Sequence, residues 1–413
     1  LGDPVRDHHP HRALDRRQMV APPWQGDTQL DNRSTAAPYG RFRAGTLNPN
    51  GTFTGFNVRR GTTNITTATG TASGGYHIQT PAQAGSLATL TPGITLDDSS
   101  TLDRDLYYDF VVDETIIPRV HRLNLGATFT HELEGGAEFF SEALYYYSES
   151  KTQRAPGPID TSLAFLIVPR QNYYNPFGPI GSPNRIEGIN APAAGLDSVM
   201  VAYRPVELGP RIIDVQQELY RLLGGFRFDF ADWKAETALG YSEASSRDDE
   251  FNRLSKTLLQ TQLSLSTPDA FNPFWGPNAN PESVLSKVRV FSTRYGESSL
   301  LTWDAKMVKS DLFAMPAGFA AAALGVDFRR EKVFEDSDPR LDGTIQYTNG
   351  PEPDRSDLVG VSATDDFRGE RDVWSAFGEL QLPLVGEGNR FPLVHALDLQ
   401  LAGRFESSSD FGD

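Results

Sequence analysis

The sequence predicts an all-β chain, an antiparallel transmembrane β-barrel segment of about eight long strands with short periplasmic turns and long extracellular loops. Three observations predict it. Four pairs of segments alternate apolar and polar residues, near 119–133 with 137–149, 216–230 with 233–245, 299–313 with 318–332, and 371–384 with 396–407. Each pair is closed by a short turn, and long loops separate successive pairs, which is the layout of a membrane barrel. No stretch approaches the roughly 18 apolar residues of a spanning helix. A barrel does not need one, because only every second residue of a strand faces lipid. The mean hydropathy of −0.40 is therefore compatible with a membrane location.

Residues 1–110 are rich in Gly, Thr, Asn, Asp and Pro, with a polar low-complexity run at 61–75. This composition predicts an irregular, partly disordered polar loop region with a short strand or two. The partial barrel is expected over 111–413. In the first pair, Leu123, Leu125, Ala127, Phe129 and Leu133 alternate with Arg122, Asn124, Thr128, Thr130 and Glu132. Side chains alternate across a strand, so one face is greasy and the other wet.

The second pair places Tyr220, Leu222, Phe226, Phe228 and Phe230 on one face and Arg221, Arg227 and Asp229 on the other. A turn at Ala231-Asp232 would set Phe230 opposite Trp233, Asp229 opposite Lys234 and Arg227 opposite Glu236. Two opposite-charge pairs would then share the wet face. A slip of one residue would turn those charges into lipid, so the register is strongly specified. The third pair turns Leu301, Trp303, Ala305 and Met307 outward, followed by Ala320, Ala322, Leu324, Val326 and Phe328. The fourth turns out Trp374, Ala376, Leu380 and Leu382, then Leu397, Leu399, Leu401 and Phe405. Aromatics cluster at strand ends, with Phe228, Phe230 and Trp233 at one turn, as an interfacial girdle requires. A soluble β-sandwich with one dry face per sheet gives the same alternation, and the pattern alone leaves that alternative open.

Composition narrows the function classes. The net charge of −16 disfavours nucleic acid as a partner. Zero cysteines exclude disulfide scaffolds, thiolate metal sites and cysteine nucleophiles. The opening LGDPVRDHHPHRALDRR has no initiating Met and no apolar signal core, and SSSDFGD follows directly on a strand. An internal piece of a longer chain is the expectation.

Several linked stretches carry a family likeness. RDVWSAFGELQLPLVGEGN (371–389) with LDLQLAGRFESSSDFG (397–412) closely resembles the mid-barrel of TonB-dependent outer-membrane receptors. So do MPAGFAAAALGVDFRREKV (315–333) and GPRIIDVQQELYRLLGGFRFDF (209–230). YYNPFGP (173–179) and AFNPFWGP (270–277) look like the aromatic, proline-containing external loops of that family. The resemblance covers roughly 105–413. It implies a mid-barrel fragment of a 22-stranded barrel, lacking the N-terminal plug, the coupler-binding box and the C-terminal strands. It further implies a Gram-negative outer membrane and energy-coupled uptake of a scarce solute of the siderophore, vitamin or saccharide class. The partners it implies are outer-membrane lipid, a small-molecule ligand and the inner-membrane TonB coupler, reached through the missing N-terminal part. A small passive barrel or adhesin, with eight strands closing on themselves, is the alternative. A secreted β-rich hydrolase is a third.

Phe177, Phe274 and Trp275, in the two Asn-Pro-Phe loops, are the candidate ligand contacts, since loop-tip aromatics can stack on a sugar or siderophore. The competing reading is that Asn-Pro nucleates a turn and the aromatic packs locally. Asp304, Asp327, Glu379 and Asp398 could suggest paired-carboxylate glycosidase chemistry. Their alternation with Lys and Arg favours a charge ladder on the wet face. His8, His9 and His11, and the acidic runs Asp248-Asp249-Glu250 and 335–338, read as solvated segments, since none has the spacing of a known metal site. No catalytic residue, metal or cofactor is expected, and no covalent chemistry.

Overall fold

The computed structural model describes residues 33–34, 36–64, 76–79, 89–91, 94–97, 108–160, 165–349 and 352–410. The histidines at 8, 9 and 11 and most of the 61–75 run lie outside them. The chain divides into two compact units. One comprises 1–115, 153–211 and 258–288; the other comprises 116–152, 212–257 and 289–413.

The second unit is built on one antiparallel sheet of eight strands in sequence order. They are β1 (Arg119–Glu132), β2 (Glu138–Arg154), β3 (Arg211–Phe230), β4 (Trp233–Leu254), β5 (Arg289–Met315), β6 (Gly318–Ser337), β7 (Phe367–Val385) and β8 (Leu397–Ser408). The sheet is open, with β1 at one edge and β8 at the other. Among the described residues no helix is long and apolar enough to cross a membrane.

The expected register of the second hairpin is observed. Phe230 pairs with Trp233, Asp229 with Lys234 and Arg227 with Glu236. Ala231 and Asp232 have φ of 49° and 68°, as a two-residue turn matched to the strand twist requires. Of the two opposed charge pairs, Arg227 with Glu236 closes, at 2.8 Å. Asp229 and Lys234 face each other without forming an ion pair.

The strands run further from the turns than the alternation implies. β3 starts at Arg211 and not at 216, β4 ends at Leu254 and not at 245, and β5 starts at Arg289 and not at 299. Asp248, Asp249 and Glu250, expected in a solvated loop, lie inside β4 opposite Val215, Asp214 and Ile213. Glu335, Asp336 and Ser337 likewise belong to β6. Pairing persists there because polar partners serve the side chains. Asp249 accepts from Arg247 Nε at 3.0 Å and from Thr293 Oγ1 at 2.7 Å.

A long segment between β6 and β7 is stitched to the end of β4. The Val359 amide donates to Leu254 O and the Lys256 amide to Asp357 O, at 3.0 and 2.7 Å. Asp357 is fully buried and accepts from Ser255 Oγ at 2.6 Å, from the Thr257 amide at 2.8 Å and from Arg340. Buried Lys256 donates to Asp354 and to Ser356 O. These bonds satisfy charges that would otherwise be costly to bury.

In the first unit, Asp197–Tyr203 pairs antiparallel with Arg41–Leu47, which continues to Phe53–Gly55. Ile159–Asp160 and Ile167–Val168 pair with Asp197–Tyr203 as well. Every residue of Asp197–Tyr203 is buried. Ile167, Val199 and Val201 form a core against Leu47, Phe53 and Phe165. Residues 36–64 are thus a folded part of this unit.

Candidate functional site

The two Asn-Pro-Phe loops have the same local geometry. Asn175 Oδ1 accepts the Phe177 amide at 2.9 Å, and Asn272 Oδ1 accepts the Phe274 amide at 3.0 Å. Each is a side-chain-closed turn, to which asparagine before proline is well suited. Asn175 Nδ2 donates to the carbonyls of Pro169 and Leu196, both at 3.1 Å, and of Val168 at 3.4 Å. The second turn is anchored through Asn280, whose Oδ1 accepts the Asn272 amide at 2.7 Å. Asn280 in turn donates to both oxygens of Glu207, at 3.0 and 2.9 Å. Burial raises the Glu207 carboxyl above its ordinary value, and the bonds from Asn280 and neighbouring amides oppose that rise.

These turns drive both phenylalanines inward. Phe177 and Phe274 lie fully buried, with Phe42 and Tyr76 between them. Ring centroids are 5.1 Å apart for Tyr76 and Phe177, 5.7 Å for Phe42 and Tyr76, and 4.8 Å for Phe42 and Phe274. Of the three candidate contacts, the two phenylalanines are therefore core residues of the unit. Trp275 remains 45% exposed. It packs edge-on against Tyr174 at 5.2 Å, and Tyr174 packs on Tyr173 at 4.9 Å. The surface aromatic group is exposed Trp275 with half-buried Tyr174 and Tyr173 beside it. A signal for it existed in the sequence, since Tyr173-Tyr174 immediately precede one Asn-Pro-Phe and Trp275 follows the other.

Arg170 steadies the same region. It forms a two-pronged pair with Asp197, at 3.1 and 2.7 Å, and its amide adds a bond of 2.9 Å. Burial alone would raise the Asp197 carboxyl. The Arg170 side chain and the amides of Arg170 and Leu47 outweigh that and hold it below the ordinary carboxylate value.

The long sheet has two unlike faces. Leu222, Leu324 and Leu399, from three different hairpins, are 57%, 46% and 41% exposed. No helix or second sheet covers these rows within the described part of the unit. The opposite face carries ion-pair ladders. One runs Glu138–Arg227–Glu236–Lys306 across β2 to β5, with contacts of 2.7, 2.8 and 2.8 Å. Another links Asp327, Arg404, Glu406, Arg329, Glu331 and Arg371 across β6 to β8, at 2.6 to 3.5 Å.

Asp304 and Asp327 stand directly opposite each other, and Asp327 also accepts from Ser375. Glu379 is opposite Ala323, and Asp398 is opposite Pro383. Asp304 and Asp327 therefore share one row, and Glu379 and Asp398 each lie in another. Among the aromatic rings on the polar face, Phe140 and Phe377 each lie over a glycine. A Cβ on Gly225 would come within 2.5 Å of the Phe140 ring, and one on Gly325 within 2.2 Å of Phe377. Each glycine makes room for a ring from the neighbouring strand, and the Arg227 guanidinium lies 4.2 Å from the Phe140 centroid. The inward-facing Gly225 and Gly325 are the sequence signal for this.

Against models of protein families, curated proteins and solved structures, the chain has no match.

Proposed function

We propose that this chain is part of a TonB-dependent receptor of a Gram-negative outer membrane, engaged in energy-coupled uptake of a scarce solute. One observation carries the reading. A long antiparallel meander leaves a continuous apolar face uncovered while ion pairs fill its other face. Water is a poor neighbour for such a surface, and hydrocarbon is a good one. The family resemblance of 105–413 supplies the receptor class. The role needs no covalent chemistry: the chain would bind its solute through loop aromatics, with exposed Trp275 and half-buried Tyr174 the candidates, and admit it under force from the inner-membrane coupler.

The small passive barrel requires β1 and β8 to hydrogen-bond to each other, and the sheet order gives no such pairing. Fractionation with transport assays tests the proposal. The chain is expected in the outer-membrane fraction, resistant to alkaline wash, with solute accumulation abolished when the proton-motive force is collapsed. A folded monomer in plain buffer would reject the membrane location. Uptake indifferent to the proton-motive force would reject energy coupling.

A further inference from the structure

The apolar rows that rise from the turns give way to polar residues on one line, and that line is oblique to the strands; isolated aromatics, Phe251 with Phe291 and Tyr295 with Phe334, recur beyond it. On β3 the row gives way after Tyr220, to Glu218. On β4 it gives way after Tyr241, whose hydroxyl donates to Glu243, the next outward residue, at 2.6 Å. The corresponding switches are Leu301 to Ser299 on β5, Phe328 to Arg330 on β6, Trp374 to Asp372 on β7 and Phe405 to Ser407 on β8.

The register converts these switches into an angle. Tyr220 pairs with Glu243, so the limit slips two residues toward the turns between β3 and β4. Tyr241 pairs with Leu301, with no slip. Leu301 pairs with Arg330, a slip of two to Phe328. Phe328 pairs with Trp374, with no slip. Trp374 pairs with Ser407, a slip of two to Phe405. All three slips run the same way over five strand steps. At about 3.4 Å per residue and about 4.8 Å between strands, the line makes an angle of about 40° with the perpendicular to the strands. Spanning strands tilt by about 35–45°. Tyr220 and Phe230 bracket the apolar row of β3. The strand between them, laid at that tilt, spans about 26 Å, against an apolar band about 25 Å tall in membrane barrels.

We infer that this oblique line is the outer hydrocarbon–water boundary of a bilayer, and that the strand portions beyond it stand clear of the hydrocarbon. The inference rests on the membrane location proposed above. It assigns Glu243–Leu254 of β4 and Arg289–Ser299 of β5 to the headgroup and aqueous zone. That accounts for strands of 22 and 27 residues where a tilted span needs about 9–11. A protein partner covering this face would have no reason to end at one tilt across six strands.

The absence of cysteine allows a direct test, with single cysteines introduced into the full chain in a Gram-negative outer membrane and challenged with a membrane-impermeant maleimide. Leu301 and Asp372 lie in one register row, as do Leu239 and Ser407. Asp372→Cys and Ser407→Cys are expected to label, whereas Leu301→Cys and Leu239→Cys label only after denaturation in detergent. If both members of each row behave alike and are protected, the oblique boundary is wrong while the membrane location stands. If Leu239→Cys and Leu301→Cys label freely in the folded chain, both are wrong.

Discussion

Phe328 and Trp374 face each other across β6 and β7 with ring centroids 4.4 Å apart, and the next outward pair on the same strands, Arg330 with Asp372, is an ion pair closed at 2.7 and 2.8 Å. Closely packed, tilted rings give way to a two-pronged charge pair within one step of the pleat. On the membrane reading proposed above, so abrupt an exchange of chemistry marks the meeting of two solvents.

Leu324→Arg should distinguish lipid from water around the sheet. A cation on the lipid face near the bilayer midplane costs about 2–4 kcal/mol. At an exposed site in water the same change would fall within about 0.5 kcal/mol. Unfolding titrations in lipid vesicles and in detergent-free buffer read the difference, and a neutral outcome in vesicles would count against a lipid contact.

The turn at Ala231-Asp232 holds both residues at positive φ, which alanine tolerates poorly and aspartate less well than glycine. The double replacement Ala231→Asn with Asp232→Gly should raise stability by about 1 kcal/mol, because Asn-Gly is the preferred pair for this turn. A shift in the urea midpoint checks it. No gain would mean that the contact of Asp232 with Lys309, at 3.8 Å, outweighs the backbone term.

Asn175→Ala should damage the first unit more than Asn272→Ala. The former removes the acceptor of the Phe177 amide and a donor to three carbonyls, of which Pro169 O keeps the Asn172 amide; the latter removes chiefly the acceptor of the Phe274 amide. At about 1–3 kcal/mol per buried orphan, partly relieved by water, the losses should be about 3 and about 1.5 kcal/mol. Trp275→Ala should leave stability nearly unchanged while weakening ligand capture. Thermal melts and a binding assay on the same three variants separate anchor from contact.

Acid should loosen the Arg170–Asp197 pair. Asp197 is held below its unfolded value, so its contribution is fully present above the ordinary carboxylate range near pH 4 and is lost as pH falls through the depressed value. Glu207 runs the other way. Its raised value makes its contribution complete below the unfolded range and lost as pH rises through the folded one. Asp197→Asn should therefore cost about 2 kcal/mol at neutral pH and progressively less in acid. A cost independent of pH would contradict the linkage.

Asp357→Ala should free the segment between β6 and β7. It removes the acceptor for Ser255, Thr257 and Arg340 and leaves the arginine unpaired, a change worth about 3–5 kcal/mol. Hydrogen exchange at 352–359 should rise strongly while the centre of β5 is unaffected. Unchanged protection there would show that Lys256 and the backbone bonds suffice.

The fold was legible where one periodicity applied along a strand. Register around Ala231-Asp232, the turn-side strand ends and the outward rows all follow from alternation with a short turn. The far ends were not, because beyond Tyr220 and Leu301 the period-two contrast fades in the sequence while the hydrogen-bond ladder continues. The candidate site was half legible. Asn-Pro-Phe gave the turns correctly, but whether the ring points in or out depends on Phe42 and Tyr76, distant in the chain and invisible to local spacing. Trp275 was separable from Phe274 only once that cluster existed.

The open rims of the sheet, β1 and β8, carry a consequence for bore. On the barrel reading proposed above, eight strands would form only an arc, and an arc does not set its own diameter. Were the two rims to meet, the cylinder would be just wide enough for its own side chains; each further strand inserted between them widens it. On the receptor reading proposed above, the bore would be set at Arg119–Glu132 and Leu397–Ser408, by how many strands dock there.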